Sequence, residues 1–487
     1  MIWTVLLLLN GLLFFILLSN RSRSKREPPL DKGLIPWLGH ALEFGRDAAK
    51  FLTRMKKKHG DIFTVRVAGH YVTVLLDPNS YDTVLQDSGS LDFSRYAQVL
   101  MERIFKLRLP GHNPAVEKAI MKQYFQGKSL SGLNSSMRLN LQALVTAETL
   151  PNQQDWNSGG LFDLCYSLLF RAGYLTLFGA ESNNNSPDTR HIYKEYRKFD
   201  GLLTKMARTT LNSGEKRVAG DTREALWGLL AASGRGESSS AWIRHYRQHL
   251  QDGGADKDTL TRAMLLQLWA TQGNVGPAAF WLLAFLLTTP RAMKALRTEF
   301  NRVSHRTPQG PTLDSSQPTP VFDSTLEETL RLTAAPFITR EVLQNKTLRL
   351  ADGCEYDLRR GDRVCLFPFV SPQMDPDIYQ EPEKFKYDRF LNADGSPKKV
   401  FYKGGERLKY YTMPWGAGGN ACVGKPFAIE AIRQFVYLML THLDLEACEL
   451  EEGLPEVNTG CYGFGMVQPV GDMAIRYRYR YSSDVIL

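Results

Sequence analysis

The sequence predicts a mainly α-helical fold with a small β region, preceded by one N-terminal transmembrane helix. Three features lead there. Residues 2–18, IWTVLLLLNGLLFFILL, form one apolar run with Asn10 as its only clearly polar member. The middle of the chain, residues 115–305, reads in helical patterns, broken by polar loops such as ESNNNSPD (181–188) and ASGRGESSS (232–240). Short alternating segments with turn punctuation flank it at 61–78 and 331–369. With 487 residues, 43% of them hydrophobic, the chain can bury a sizeable core in one large domain.

The apolar run comes first. At ~1.5 Å per residue it reaches about 25 Å, enough for a thin bilayer. RSRSKR (21–26) follows, then Pro28 and Pro29, with no small-residue cleavage site, so an uncleaved anchor is expected rather than a removed signal. Basic flanks stay on the cytosolic side, which places the catalytic body in the cytosol and the amino terminus in the lumen. The expected organisation is an anchor over 1–20, a basic and Pro-rich linker over 21–36, and a single domain over 37–487. DIFTVRVAGHYVTVLLDP (61–78) alternates about a Gly-His turn and reads as a β-hairpin. RLTAAPFITREVLQNKTLRLADGCEYDLRRGDRVCLFPF (331–369) reads as short strands. KPFAIEAIRQFVYLMLTHL (425–443) is a long apolar helix before a strand-like tail.

Charge and cysteine usage narrow the function. The formal charge of +9 belongs partly to the anchor's own flank, and the rest suits a body resting on an anionic leaflet of membrane lipid. Nucleic-acid binding would need Lys/Arg clusters interleaved with aromatic platforms, and the sequence has neither. The six cysteines, at 165, 354, 365, 422, 448 and 461, show no CxxC pairing, which argues against a disulfide framework or a zinc site. Attention falls on a single cysteine in a special setting.

That setting is PWGAGGNACVGKPFAIEAIRQF (414–435). Glycines at 416, 418, 419 and 424 permit a tight loop around Cys422, and Pro426 opens a helix immediately after it. A thiol there meets the positive end of a helix, which favours the thiolate, the form that ligates iron. A structural cysteine in a Gly-rich turn is the competing reading of the loop alone. Upstream, Glu328 and Arg331 stand at ExxR spacing on one helix face, and Arg389 lies between them and the loop.

In this order and at these distances the segments resemble the signature of the cytochrome P-450 superfamily: an ExxR pair, a third arginine, and F-x-x-G-x-R-x-C-x-G around the ligand. The resemblance runs from the anchor to the tail. It implies the cytochrome P-450 fold, a haem b cofactor with Cys422 as the axial iron ligand, and a structural network of Glu328, Arg331 and Arg389. Two departures concern the haem propionates. Asn420 stands where the family carries arginine, and no tryptophan lies between Trp37 and Trp156 to supply W-x-x-x-R. The resemblance then points to Arg340, nine residues after Arg331, with Asn420 and Trp415 beside the cofactor. Lys118 or Lys122 is a substitute for the missing early-helix arginine, and either is equally readable as a solvated lysine.

LQLWATQGNVGPAAFWLLAFLL (266–287) resembles the family's long helix over the haem, where monooxygenases carry an acid and a threonine that deliver protons to dioxygen. Aligned on Ala270, those positions are Gly273 and Asn274, and Thr271 falls too early. An amide cannot relay protons as an acid can. Pro277 lacks an N–H, so the carbonyl of Gly273 loses its helix partner and a groove opens with Asn274 beside it. A kinked core helix with an incidental Gly and Asn is the plainer alternative.

Longer segments resemble the endoperoxide isomerases of the family: 30–65, 266–283, RLTAAPFITREV (331–342) and MPWGAGGN-x-C-x-G (413–424). The resemblance implies isomerisation of prostaglandin H2 to prostacyclin at a ferric haem-thiolate centre by O–O homolysis, without O2, NADPH or an obligatory reductase. Functional coupling to an upstream cyclooxygenase and residence in the endoplasmic reticulum membrane go with it. Cys422 and Asn274 are the catalytic candidates. Trp269, Gly273, Asn274, Pro336, Phe337, Ile338 and Phe464 are expected to contact the lipid endoperoxide. A reductase-dependent sterol monooxygenase of the bile-acid pathway is the rival, because those relatives share the Asn. A non-catalytic haem-thiolate binding protein is the third reading.

Overall fold

The alternation at 61–78 produces the hairpin it predicts. In the computed structural model Ile62–Val67 (β2) and His70–Leu75 (β3) pair antiparallel through Ala68 and Gly69, both at positive φ (48° and 82°). That two-residue turn matches the strand twist. A Cβ on Gly69 would lie 2.5 Å from the Trp37 indole nitrogen, so glycine is required there. The structure describes residues 24–109, 113–149, 155–179, 188–231, 238–307, 310–314, 316–448 and 453–480, with residues 3, 10 and 11.

With Leu30–Asp31 (β1), Leu91–Asp92 (β4), Ile338–Val342 (β5) and Arg363–Leu366 (β6), the hairpin builds a six-stranded sheet in the order β1-β2-β3-β6-β5-β4. Strand β6 runs parallel to β3 and antiparallel to β5, pairing Arg363 with Glu341 and Val364 with Arg340. A second sheet joins Asn157–Gly160, Leu443–Ala447 and Ala474–Tyr479, the tail strand expected from the sequence.

The rest is mainly helical. The helices that matter for the site are Ser94–Phe105 (α1), Pro114–Tyr124 (α2), Leu161–Leu177 (α3), Thr189–Arg208 (α4), Lys257–Gln272 (α5), Val275–Thr288 (α6), Pro320–Thr333 (α7) and Lys425–His442 (α8). Their starts are written locally. Asn113 caps α2 ahead of Pro114, and the Asp256 side chain accepts from the Thr259 N–H (2.8 Å) to cap α5. Helix α6 is apolar all round and buried from Gly276 to Leu286, so it runs through the centre, against α3, α7 and α8. Trp281 is buried on it, with its indole N–H on the Val467 carbonyl at 2.8 Å. Truncating such a side chain to Ala costs ~3–5 kcal/mol.

One sequence expectation changes and another lies outside the described residues. The linker expected over 21–36 is docked from Arg26 onward. Arg26 pairs with Glu355 (3.1 Å), Glu27 is buried against Arg359, and Leu30–Asp31 joins the sheet beside Thr64 and Val65. Asp31 is clamped by Lys58 (2.7 Å), His40 (2.8 Å) and His59 (3.3 Å). Burial pushes its carboxyl up, but these hydrogen bonds and the Gly33 N–H outweigh that and hold it well below the usual carboxylate range. The packed body therefore begins ahead of residue 37. The anchor expected over 1–20 lies outside the described residues, residues 3, 10 and 11 apart. Among the described residues no single helix is long and apolar enough to cross a membrane.

Candidate active site

On one side of the site a charged network fixes the backbone. Glu328 and Arg331, one turn apart on α7, are fully buried and bidentate: Arg331 donates to Glu328 at 2.7 and 2.9 Å. Arg389 donates to both oxygens of the same carboxylate at 2.9 Å, and to the carbonyls of Gln380, Glu381 and Lys384. Arg331 also reaches the Gln373 carbonyl (2.6 Å). The Gln373 amide in turn holds the carbonyls of Arg331 and Ala334 and accepts from the Met413 N–H, at the head of the cysteine loop. The ExxR spacing and the distant arginine thus meet as the sequence predicts.

The loop itself turns on Gly416 and Gly418, both at positive φ (65° and 62°). A side chain on Gly418 would press within 3.0 Å of the Leu85 carbonyl. The Cys422 N–H closes the loop on the Trp415 carbonyl at 2.9 Å, and α8 begins three residues later with Pro426 in its first turn. Cys422 is unpaired and its sulfur faces a cavity. Burial pushes its thiol up, and the N–H groups of Gly424 and Lys425 with the Lys118 and Lys425 ammonium groups pull the other way without winning. The helix start therefore favours the thiolate, as the sequence implies, while burial opposes it.

Opposite the cysteine, the single helix expected over 266–287 is two. α5 ends at Gln272 and α6 begins at Val275. Pro277 offers no N–H to the Gly273 carbonyl, and the Tyr166 hydroxyl on α3 stands 3.3 Å from that oxygen instead. Tyr166 is backed by Tyr196 (3.3 Å) and by Asp200 (3.3 Å), whose carboxylate takes Arg197 and Gln468 at 2.7 Å each. Burial pushes the Asp200 carboxyl up against the pull of Arg197.

Asn274 sits in the break. Its Oδ1 accepts the Met466 N–H at 2.9 Å, and because an amide N–H can only donate, the oxygen must face it. The Asn274 Nδ2 is then left without a partner among the described residues, on a side chain that lines the cavity. The approach needs Gly465, at φ 108°, where a Cβ would fall 2.3 Å from Oδ1. The Thr271 hydroxyl is turned back on the carbonyls of Gln267 (2.8 Å) and Leu268 (3.3 Å).

The cavity measures about 1130 Å³ and gathers Cys422, Trp415, Asn420, Arg340, Trp269, Asn274, Pro336, Phe337, Ile338 and Phe464 from the residues singled out in the sequence. Two expected members stay outside. Gly273 is a break residue whose Cβ position is closed off by the Trp269 carbonyl (2.9 Å) and the Tyr196 hydroxyl (3.2 Å), so it forms no wall. Lys118, the candidate propionate partner, donates to the carbonyls of Gly419 and Ala421 and so staples the cysteine loop. Missed in the sequence were Arg103, Arg208 and Arg363, which also line the cavity, and the Gly465–Met466 turn that orients Asn274. The second glycine of Tyr-Gly-Phe-Gly (462–465) was its one sequence signal; the isolated arginines had none.

The donor set fits a haem. Cys422 faces an apolar space larger than a typical ligand pocket, which runs to ~1,000 Å³, and the second lining cysteine, Cys365, turns its sulfur to the Leu366 carbonyl (3.6 Å). Its lining holds no Asp or Glu but four arginines, suited to a flat apolar ring bearing carboxylates. Arg340 is buried, its guanidinium over the Phe93 ring, with the Thr339 carbonyl (2.9 Å) as its acceptor among the described residues.

Known proteins share much of this sequence. The chain is 51% identical over 477 residues to prostacyclin synthase of Rattus norvegicus, covering 94% of this chain and 95% of that protein. It is 50% identical over 476 residues to prostacyclin synthase of Homo sapiens, with the same coverage. Identity to 7-alpha-hydroxycholest-4-en-3-one 12-alpha-hydroxylase of Oryctolagus cuniculus is 40% over 478 residues, again 94% and 95%. The family model for cytochrome P450 matches residues 28–117 and 237–473. Sequence, cysteine loop and buried Glu-Arg-Arg network therefore lead to one assignment: the chain belongs to the cytochrome P450 family.

Proposed function

We propose that the protein is an isomerase that converts prostaglandin H2 to prostacyclin on haem b held by the Cys422 thiolate. The observation that carries this is the 50–51% identity to prostacyclin synthases over 94% of the chain, against 40% to the sterol hydroxylase, and Asn274 is the site residue that fits it. It occupies the break in the distal helix as an amide whose oxygen is already committed to Met466, leaving Nδ2 as a donor toward the cavity. A donor there binds and orients a peroxide oxygen. It does not relay protons, and neither does Thr271, whose hydroxyl is bonded back into its own helix. Asp200 stands behind Tyr166, whose contact on the cavity side is the Gly273 carbonyl, a group with no proton to pass on. A site without proton delivery suits a substrate that brings its own O–O bond. The bound haem iron supplies the one-electron chemistry that opens such a bond. Trp269, Phe337, Ile338 and Phe464 exclude water and hold the fatty chain. Relatives about 50% identical are prostacyclin synthases, which supports the same reading.

No O2, NADPH or reductase takes part, and an upstream cyclooxygenase delivers the substrate. Residues 1–20 hold the protein in the endoplasmic reticulum membrane with the catalytic domain cytosolic. Leu34, Trp37 and Leu42, exposed at the end of the linker and just beyond it, extend the apolar contact with lipid. The test is incubation with prostaglandin H2, aerobic and anaerobic, with no reductase and no NADPH, followed by product analysis. Equal rates of prostacyclin formation are expected. NADPH-driven sterol hydroxylation without endoperoxide conversion would instead establish the monooxygenase alternative that the 40% identical hydroxylase suggests.

A further inference from the structure

The cavity's four arginines are not equivalent. Arg208 commits its guanidinium to the carbonyls of Gly45 (2.9 Å) and Tyr462 (3.1 Å), and Arg340 donates to Thr339 (2.9 Å). The Arg363 side chain makes no hydrogen bond to any described residue; its guanidinium lies over the Tyr96 ring, 5.3 Å from the centroid. Register separates it from Arg340. Val364 pairs with Arg340 and Arg363 with Glu341, so the two arginines leave opposite faces of the sheet, one toward Phe93 and the other toward Tyr96.

The surroundings of Arg363 are cationic. Arg103, exposed at the cavity's edge with one N–H on the Ala207 carbonyl (3.1 Å), and His70 both act on it or are acted on by it as like charges. Glu341 is the acidic group that faces the cluster, and Arg95 already engages it at 3.3 Å. Burial and the Arg363 and Arg103 charges push His70 down, and burial pushes Arg363 down. A guanidinium carries five donors in a planar fork. Partly desolvated among like charges and lacking any acceptor, it has the environment of a site waiting for a carboxylate, which it binds in two parallel hydrogen bonds.

We propose that Arg363, with Arg103 beside it, anchors the carboxylate of a long-chain acidic lipid and thereby orients the chain in the cavity. This rests on the reading of the substrate as a fatty-acid endoperoxide and names the group that holds its acid end. Asn274 then addresses the peroxide and Arg363 the carboxylate, and the separation between them selects for where along the chain the peroxide lies. The carboxylates of the cofactor share the same chemistry, and the experiment separates the two sources.

The haem-loaded full-length protein is titrated with arachidonic acid and with its methyl ester, read by the shift of the haem Soret band. The acid is expected to bind more tightly than the ester. Arg363→Gln should weaken the acid by roughly 10- to 100-fold, the worth of a hydrogen bond to a charged group, and leave the ester unchanged. Arg363→Lys should retain part of the preference, and Arg103→Gln should lose less of it. Equal affinities of acid and ester for the parent protein overturn the anchor, as does equal weakening of both in Arg363→Gln. If Arg363→Gln takes up no haem, Arg103→Gln decides: an unchanged acid-to-ester ratio assigns the cluster to the cofactor's carboxylates and overturns the proposal. Arachidonic acid has no endoperoxide, so the titration reads the anchor even if prostaglandin H2 is not turned over.

Discussion

The two walls of the cavity are built by different means. On the cysteine side, geometry is carried by charged side chains that meet each other: Glu328 takes both Arg331 and Arg389, and Gln373 passes that rigidity to Met413 at the head of the loop. On the distal side, geometry is carried by groups that are missing. Pro277 has no N–H, so Gly273 turns its carbonyl to Tyr166; Gly465 has no Cβ, so Met466 can bring its N–H to Asn274. The first kind of wall is stiff and indifferent to substrate. The second leaves one polar atom, Asn274 Nδ2, facing the cavity without a partner among the described residues. The cysteine wall and the distal wall can thus vary independently of each other.

The sharpest way to break this comparison is at the sulfur. Cys422→Ser is expected to remove all turnover and the thiolate-specific Soret band of the reduced carbon-monoxide complex, while the distal wall keeps its geometry. Spectroscopy of the variant reads this directly. Persistence of the band would move the ligand to another cysteine and dissolve the distinction between the two walls.

Next comes the network behind the loop. In Arg331→Ala a carboxylate with no exposure keeps Arg389 but loses its bidentate partner, and the Gln373 carbonyl loses its donor. Breaking a buried pair costs ~3–5 kcal/mol, a large share of the ~5–15 kcal/mol that holds a domain together. The expected result is little haem-loaded protein on expression, measured as haem content per chain. Normal yield with full haem would show that the cysteine wall does not depend on its charges.

Legibility in the sequence follows the same division. Glu328, Arg331, Arg389 and Cys422 were readable because side-chain chemistry at fixed spacing has few other uses in combination, and the hairpin at 62–75 because alternation and a Gly turn are local. Pro277 was readable as a missing donor, since its effect falls four residues away. Tyr166, Gly465 and Met466 were not, because their partners lie 107, 191 and 192 residues distant and a backbone N–H carries no sequence mark. Arg363 looked like any strand arginine until the register put it opposite Glu341 and over Tyr96. Lys118 shows a further limit: its charge was legible, but its hydrogen bonds to the loop carbonyls of Gly419 and Ala421 were not, because a backbone carbonyl carries no sequence mark.

The smallest expected effect is the most discriminating. Asn274→Ala removes the donor at Nδ2 and also strips the Met466 N–H of its acceptor at 2.9 Å. One neutral hydrogen bond is worth about 0.5–1.5 kcal/mol, so kcat/KM for prostaglandin H2 should fall by several-fold to about tenfold. The orphaned Met466 N–H adds a stability cost of about 1–3 kcal/mol where water cannot reach it. Cys422 and the Glu328 network are untouched by the substitution, so the thiolate spectrum and haem content should match the parent. Steady-state kinetics beside the carbon-monoxide spectrum therefore separate the walls: a fall in kcat/KM with an unchanged spectrum places the effect on the distal side alone. A spectrum that changes with it would mean that Asn274 supports the haem pocket itself, and the distal wall would lose its claim to a separate role in positioning the peroxide.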